Sequence, residues 1–369
     1  MKLFKCQQCG QLLYFENTFC ERCGYKLGFS PDDLELLTII PVEGQLFTNI
    51  LNTKKRYRYC VNSQHEVCNW LVDASDQNQF CAACRLNHTI PDLSNPEHII
   101  RWRKLEIAKH RLVYTLFRLG LPAFAKANDS DTGLAFDFLV DQDPKQKVIM
   151  GHAHGLITIN LAEADEVKRV RTREHLGEPY RTLLGHFRHE SGHYYWDRLI
   201  QKDEERLHEF RSVFGDERVD YSEALKKHYN ENSSVNWTDS FVSNYASAHP
   251  WEDWAETWAH YLHVMDTLET AHSLGMRINP VAVSKVEMLS AEYKNDPFEV
   301  TNFQQLVDLW IPLTIGINSL NRSMGQPDFY PFIVSPGIIQ KLDFIHRLLA
   351  RTKFRKISSD RANYAGAPN

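Results

Sequence analysis

The sequence predicts an α+β fold: small cysteine-rich modules first, then a mostly helical domain with a small sheet. Three observations carry that reading. All eight cysteines fall within the first 84 of 369 residues, and the rest of the chain has none. Three runs rich in β-branched and aromatic residues, Ala135 to Val140, Lys147 to His152 and Leu156 to Leu161, are separated by turn residues and read as strands. From Gly177 to about residue 350 the pattern becomes mostly helical.

Composition narrows the function classes. Hydrophobic residues make up 43% and charged residues 24%, ordinary values for a soluble globular protein. The net charge of −5 does not advertise an anionic partner for the chain as a whole. No apolar run reaches the roughly 20 residues that a membrane span needs. Met1-Lys2-Leu3-Phe4-Lys5-Cys6 lacks the apolar centre of a signal peptide. The expectation is a cytoplasmic chain with no membrane partner.

The cysteines come in pairs. Cys6 and Cys9, Cys20 and Cys23, and Cys81 and Cys84 each have two residues between them, while Cys60 and Cys68 form a looser pair. Two thiolates at that spacing wrap one metal ion, and a second such knuckle closes a tetrahedral zinc site. Cys6, Cys9, Cys20 and Cys23 therefore read as a zinc ribbon, with ten residues between the knuckles for a short hairpin. Gly10 and Gly24 follow the second cysteine of each knuckle, where a left-handed turn is often required. Cys60, Cys68, Cys81 and Cys84 read as a second zinc site, in which His65 or His88 can replace one sulfur. Both sites are expected to be structural. The competing reading is disulfides or a redox pair.

The domain plan follows: 1–28 a zinc ribbon, 29–45 a connector with Pro31 and Pro41, 46–90 the second zinc module, 96–350 an α+β domain dominated by helices and 351–369 a polar tail. Residues 96–119 read as a helix, with Ile99, Trp102, Leu105, Leu112, Leu116 and Leu119 on its apolar face. The run Lys54-Lys55-Arg56-Tyr57-Arg58-Tyr59 has the cations and rings that suit nucleic acid, and equally the alternation of a solvated strand.

The sharpest motif is His189-Glu190-Ser191-Gly192-His193, in a helical run from Glu178 to Ile200 with Pro179 suited to its first turn. Histidines at i and i+4 lie one turn apart on the same face, so both imidazoles can bind one zinc. Glu190 then stands beside the attacking water as general base. His186, three residues earlier on the same stripe, is either a fourth ligand or, as favoured, a support behind the ligands. Gly192 is poor for a helix interior, which suits close approach to the backbone there.

A catalytic zinc needs a third protein ligand and an open position. A second helix begins at His249-Pro250 with Trp251-Glu252-Asp253-Trp254-Ala255-Glu256, acidic in its first turn as the helix dipole prefers. Its tryptophans and alanines argue burial, and buried carboxylates need partners. Glu252 is the favoured third ligand, with Glu256 supporting a ligand histidine. Glu256 remains the alternative, and His249 and His260 are further candidates.

Together these two motifs resemble the gluzincin metallopeptidases, in which a glutamate on a downstream helix is the third ligand. More closely, the chain is similar over nearly its whole length to the bacterial zinc-binding metallopeptidase family that carries an N-terminal zinc ribbon. The resemblance implies a zincin-like catalytic domain and peptidase activity, and it names no substrate. It also implies, from the tyrosine seven residues before the ligand glutamate in lethal-factor-type gluzincins, that Tyr245 assists the oxyanion. An edge strand that pairs with extended substrate is a further feature of the type, and Leu156 to Leu161 is either that strand or an ordinary interior one.

The expected function is zinc-dependent hydrolysis of peptide bonds, with one catalytic and two structural zinc ions and a peptide or protein substrate. The rival is an adaptor that binds protein or nucleic acid through its zinc modules and carries an inert histidine site. A zinc amidase acting on a non-protein amide would use the same residues.

Overall fold

The computed structural model describes residues 1–364 apart from 128, 130, 142, 144–146, 167–168, 170–181, 231–236 and 282–288. Pro179 therefore lies outside the described residues. The chain is α+β and divides into two compact units. The first comprises Met1–Gly177 with Arg181–Tyr194, the second Glu178–Tyr180 with Tyr195–Asn369.

In the first unit, strands β1 (Phe4–Lys5) and β2 (Leu12–Leu13) pair antiparallel, and an isolated bridge joins Phe19 to Lys26. Each ladder carries one cysteine knuckle at its tip, so the hairpins lie around the knuckles and not between them. At these tips Gly10 and Gly24 have φ of +75° and +76°, the left-handed turn that a side chain would disfavour.

Strands β3 (Lys26–Ser30), β4 (Glu35–Pro41), β5 (Phe47–Asn49), β6 (Tyr57–Tyr59) and β7 (Leu71–Asp73) form an antiparallel meander in that order. The stretch expected as a connector is thus part of a sheet. Pro31 stands in the β3–β4 turn and Pro41 ends β4, positions where a missing backbone N–H does no harm. Leu37, Ile39, Tyr57 and Leu71 form its core. The basic aromatic run is engaged within this sheet. Tyr57 is buried, Tyr59 donates to Leu27 O at 2.7 Å, and Arg58 donates to the carbonyls of Ala74 and Asn78 at 3.1 and 3.0 Å.

Helix α1 (Pro96–Arg118) is capped by the Asn95 side chain and buries Trp102, Leu105, Leu112 and Leu116 of the expected face, while Ile99 is half-buried and Leu119 is buried just past the helix end. Its Tyr114 ring lies 5.4 Å from Phe15 of the ribbon and 5.9 Å from Phe29 of β3, which ties helix, ribbon and meander into one aromatic core.

A second sheet has the order β10-β11-β9-β8, with β8 (Asn87–Thr89), β9 (Ala135–Leu139), β10 (Gly151–Ala153) and β11 (Leu156–Asn160). β11 runs parallel to β9 and antiparallel to β10. It is therefore an interior strand, as is β9, and the edges are the shorter β10 beside it and β8 beside β9. Phe136 and Phe138 of β9 pack on Phe187 at 5.7 and 6.3 Å, which seats helix α2 (Leu183–Leu199) on the sheet.

The second unit takes the last turn of α2, then α3 (Glu204–Phe214), α4 (Tyr221–Asn230), α5 (Pro250–Ser273), α6 (Phe303–Ser323) and α7 (Pro336–Tyr364), with a two-stranded ladder of β12 (Arg277–Ile278) and β13 (Ala291–Glu292). α7 runs through Tyr364, into the stretch expected as a loose tail; the sequence offers no Gly or Pro to stop a helix before Gly366. Trp254 and Trp258 of α5 are fully buried, and Trp254 packs against Phe210, Phe214 and Phe344. No helix among the described residues is long and apolar enough to cross a membrane.

Candidate metal centres and active site

None of the eight cysteines is in a disulfide. Cys6 and Cys23 sulfurs stand 3.7 Å apart, Cys9 and Cys20 3.6 Å, and Cys68 and Cys81 3.7 Å. Two sulfurs each about 2.3 Å from one tetrahedral zinc lie about 3.8 Å apart, whereas a disulfide would bring them to about 2.05 Å. Both sets of four thus fit a zinc ion. Backbone N–H groups point at the sulfurs: Trp70 to Cys68 at 3.4 Å, Cys81 to Cys60 at 3.3 Å and Cys84 to Cys81 at 3.4 Å. Burial opposes the charged form of Cys6, yet the Cys9 amide and the Thr38 hydroxyl prevail and hold its thiol at about 6.

The two histidines considered as substitutes lie elsewhere. His65 faces Gln64 and Trp102, and His88 is paired with Asp137 at 2.8 Å. A histidine that sequence reasoning missed, His110 of α1, does reach the second cluster. Its Nδ1 donates to Glu106 O at 2.7 Å and its Nε2 stands 3.7 Å from Cys84 Sγ. Glu106 and Lys109, both fully buried, are paired beside it.

From Phe187 to Trp196 every residue of α2 is buried except His189 and His193. A stretch of helix sealed all round needs neighbours on every side, and within this stretch the two half-buried imidazoles are the exception. Their Nε2 atoms stand 3.2 Å apart. Two nitrogens about 2.0–2.1 Å from a tetrahedral zinc would lie about 3.4 Å apart, so the pair fits a shared ion.

Glu190 is buried, and His186 Nε2 lies 3.2 Å from its Oε1. The other face of the His186 ring looks to Glu163, with Nδ1 at 3.7 Å from Oε2. Burial alone would raise the Glu190 carboxyl, but the His186 hydrogen bond and the neighbouring His189 and His193 charges pull it down to about 2. Burial likewise opposes the His186 charge, and the flanking Glu163 and Glu190 carboxylates outweigh it, raising its pKa. With its Nε2 committed to Glu190, His186 stands behind the motif as a support.

The short edge strand β10 faces this helix. A side chain at Gly151 would begin 4.0 Å from Glu190 Oε2, so its absence leaves room above the carboxylate. His152, which sequence reasoning gave only as the end of a strand, accepts from Gly155 N at 2.9 Å through Nε2, and its ring lies parallel to that of His193 with centroids 6.4 Å apart. Burial, then the charge of His193, holds it down at about 4.

In the second unit, Pro250 opens α5 and the His249 side chain caps it, accepting from Trp251 N at 3.1 Å. Glu252 is 1% exposed and accepts from the Tyr221 hydroxyl at 2.6 Å. Burial, then the charge of Glu252, pushes the Tyr245 phenol far above its ordinary value. The other candidates make hydrogen bonds of their own. Glu256 accepts from Ser243 Oγ at 2.8 Å, His249 Nε2 donates to Val219 O at 3.1 Å, and His260 is bonded to Tyr330 at 2.7 Å.

Residues 98–348 match the family described as "Putative zinc-binding metallo-peptidase", and residues 3–95 match a zinc-ribbon domain. Proteins of Mycobacterium tuberculosis and Mycobacterium bovis, each described as uncharacterized, are 40% identical over 350 residues, which is 95% of this chain and 95% of each relative. No solved structure matches. The family region takes in both α2 and α5 and more than half of the chain, which therefore belongs to the family so described, with a zinc ribbon ahead of the family region.

Proposed function

We propose that the chain is a cytoplasmic zinc-dependent peptidase whose catalytic ion is held by His189, His193 and Glu252, with two further zinc ions in the cysteine sites. The carrying observation is the pair of Nε2 atoms 3.2 Å apart on the stretch Phe187–Trp196, where every other residue is buried, with Glu190 beside them. Glu252 is supported as the third ligand by its burial at the head of α5 and by helix packing. Tyr195, two residues beyond His193, stacks on Trp258, six residues beyond Glu252, at 5.1 Å.

Zinc bound there polarises the scissile carbonyl and makes water acidic enough to attack near neutral pH. The chain's own residues supply the rest. Glu190, held ionised and fixed by His186, takes the proton from the attacking water and returns it to the leaving amine. Tyr245, kept protonated, donates to the charge that develops on the carbonyl oxygen. Gly151 leaves the space above Glu190 that a substrate must enter.

Elemental analysis of protein purified without added metal tests the metal assignment, with about three zinc ions per chain expected from one ion at each proposed site. A peptide library incubated with wild type and Glu190→Gln tests the chemistry. Cleavage by wild type alone, with zinc content equal in both, supports the reading; equal cleavage by the variant overturns it.

A further inference from the structure

A phenol has one proton to give, and Tyr221 gives its proton to Glu252 Oε1 across 2.6 Å. Tyr221 also shares a hydrogen bond with Tyr245. Because the Tyr221 proton is already committed to the carboxylate, Tyr245 is the donor in that second bond and the Tyr221 oxygen accepts. The outcome is a chain of two phenols that ends on Glu252, assembled from the start of α4, the short turn Tyr245–Ala248 and the first turn of α5. Packing fixes its middle member. The Tyr221 ring meets His249 edge-on at 5.2 Å and lies tilted against Trp251 at 6.2 Å. His249 is itself immobilised by capping α5 and by its bond to Val219 O.

We infer that Tyr221 is a positioning residue, which orients the Glu252 carboxylate for the metal and sets the Tyr245 phenol through the same hydroxyl. The inference rests on the reading of Glu252 as third ligand and Tyr245 as oxyanion donor. A carboxylate turns easily about its last torsion. A short hydrogen bond to one ionised oxygen selects a single orientation and so fixes the direction of the other oxygen. Hydrogen-bond partners of this kind typically contribute 10–100-fold to metal affinity. Tyr221 thereby couples two functions, metal retention and oxyanion stabilisation, that Tyr245 alone does not.

The test uses the full chain and its most weakly held zinc ion, titrated against a chromophoric chelator, with thermal midpoint as the check on folding. Tyr221→Phe is expected to weaken that ion by roughly 10-fold or more and to lower turnover. Tyr245→Phe is expected to lower turnover while changing zinc affinity less than about twofold, since it has no direct bond to the carboxylate. Tyr221→Gln restores a donor and is expected to recover part of the affinity; it also provides the reading if the phenylalanine variant does not fold. Wild-type zinc affinity in Tyr221→Phe overturns the inference, and so does an equal loss in Tyr245→Phe. Three zinc ions in wild type without hydrolysis would overturn the peptidase reading while the affinity comparison still decides the role of Tyr221. Two zinc ions in wild type would overturn both.

Discussion

His186 Nε2 lies 3.2 Å from Glu190 Oε1, four residues along the same helix, and the pair is enclosed by protein. The geometry sets a pH window. The Glu190 carboxyl is lowered to about 2 from its ordinary 4.5, so its stabilising effect is fully present above 4.5 and lost as pH falls through about 2. The His186 imidazole is raised above 6.5, so its effect is fully present below 6.5 and lost as pH rises through its folded value. A double-mutant cycle of His186→Gln and Glu190→Gln, on protein stripped of its most weakly held zinc, should show coupling of about 1–3 kcal/mol near pH 5.5. Urea unfolding at pH 5.5 and pH 9 checks this; coupling that does not shrink at the higher pH would mean that the histidine is not charged in the pair.

Glu190→Gln should lower kcat by on the order of 10²–10⁴-fold, the usual contribution of a positioned general base, with KM and zinc content little changed. His186→Gln should lower kcat less, because it leaves the carboxylate in place and removes only its support. Steady-state kinetics on any peptide that the library yields will decide the order. A larger loss in the histidine variant would move the general-base role away from Glu190.

Much of this was legible because it is local. The paired cysteines, the two histidines one turn apart and the proline-led start of α5 are each written in a few consecutive residues. The apolar spacing of α1 and the strand patterns of β9 and β11 are equally local. What sequence reasoning missed is set by pairing across the chain. Pro31 and Pro41 look like linker residues until the ladder that joins β3 to β4 shows them at a turn and a strand end. β11 is interior because β9, some twenty residues upstream by strand register, lies parallel beside it. Glu163, His152 and Tyr221 belong to no motif. Each is brought to its partner by a fold contact, 31 residues away in the case of Tyr221 and Glu252. Tyr245 was within reach of sequence only through the seven-residue spacing to Glu252.

Metal removal should separate the two kinds of site. A mild chelator is expected to take the histidine-bound ion first and abolish hydrolysis, with activity restored by added zinc and the thermal midpoint little changed. Loss of a thiolate-bound ion should instead unfold the surrounding structure, because structural zinc sites contribute about 10–16 kcal/mol of apparent binding energy to folding. Cys81→Ser, at a fully buried sulfur 3.7 Å from Cys68, should therefore give a chain with one zinc ion fewer and early unfolding of the meander and α1. Circular dichroism and hydrogen exchange would show it, and an unchanged melting profile would mean that the second cluster does not hold metal.

The head of α5 depends on a buried ion pair. Lys341 Nζ lies 2.7 Å from Asp253 Oδ2, with side chains 9% and 1% exposed. Burial pushes the Asp253 carboxyl up to about 7 although Lys341 pulls it down, so the folded state binds a proton between pH 3.8 and 7 that the unfolded chain releases. Stability contributed by this group therefore falls as pH rises across that range. Lys341→Met would leave the carboxylate without its cation and should cost about 3–5 kcal/mol at pH 8, but clearly less at pH 5, where Asp253 can keep its proton. Adding Asp253→Asn should recover most of the loss at pH 8, because a neutral amide no longer needs the ammonium. Urea midpoints at the two pH values check the prediction. A penalty equal at both, or one that the second substitution does not relieve, would show that Lys341 stabilises the helix by packing on Phe214 and Phe241 and not through Asp253.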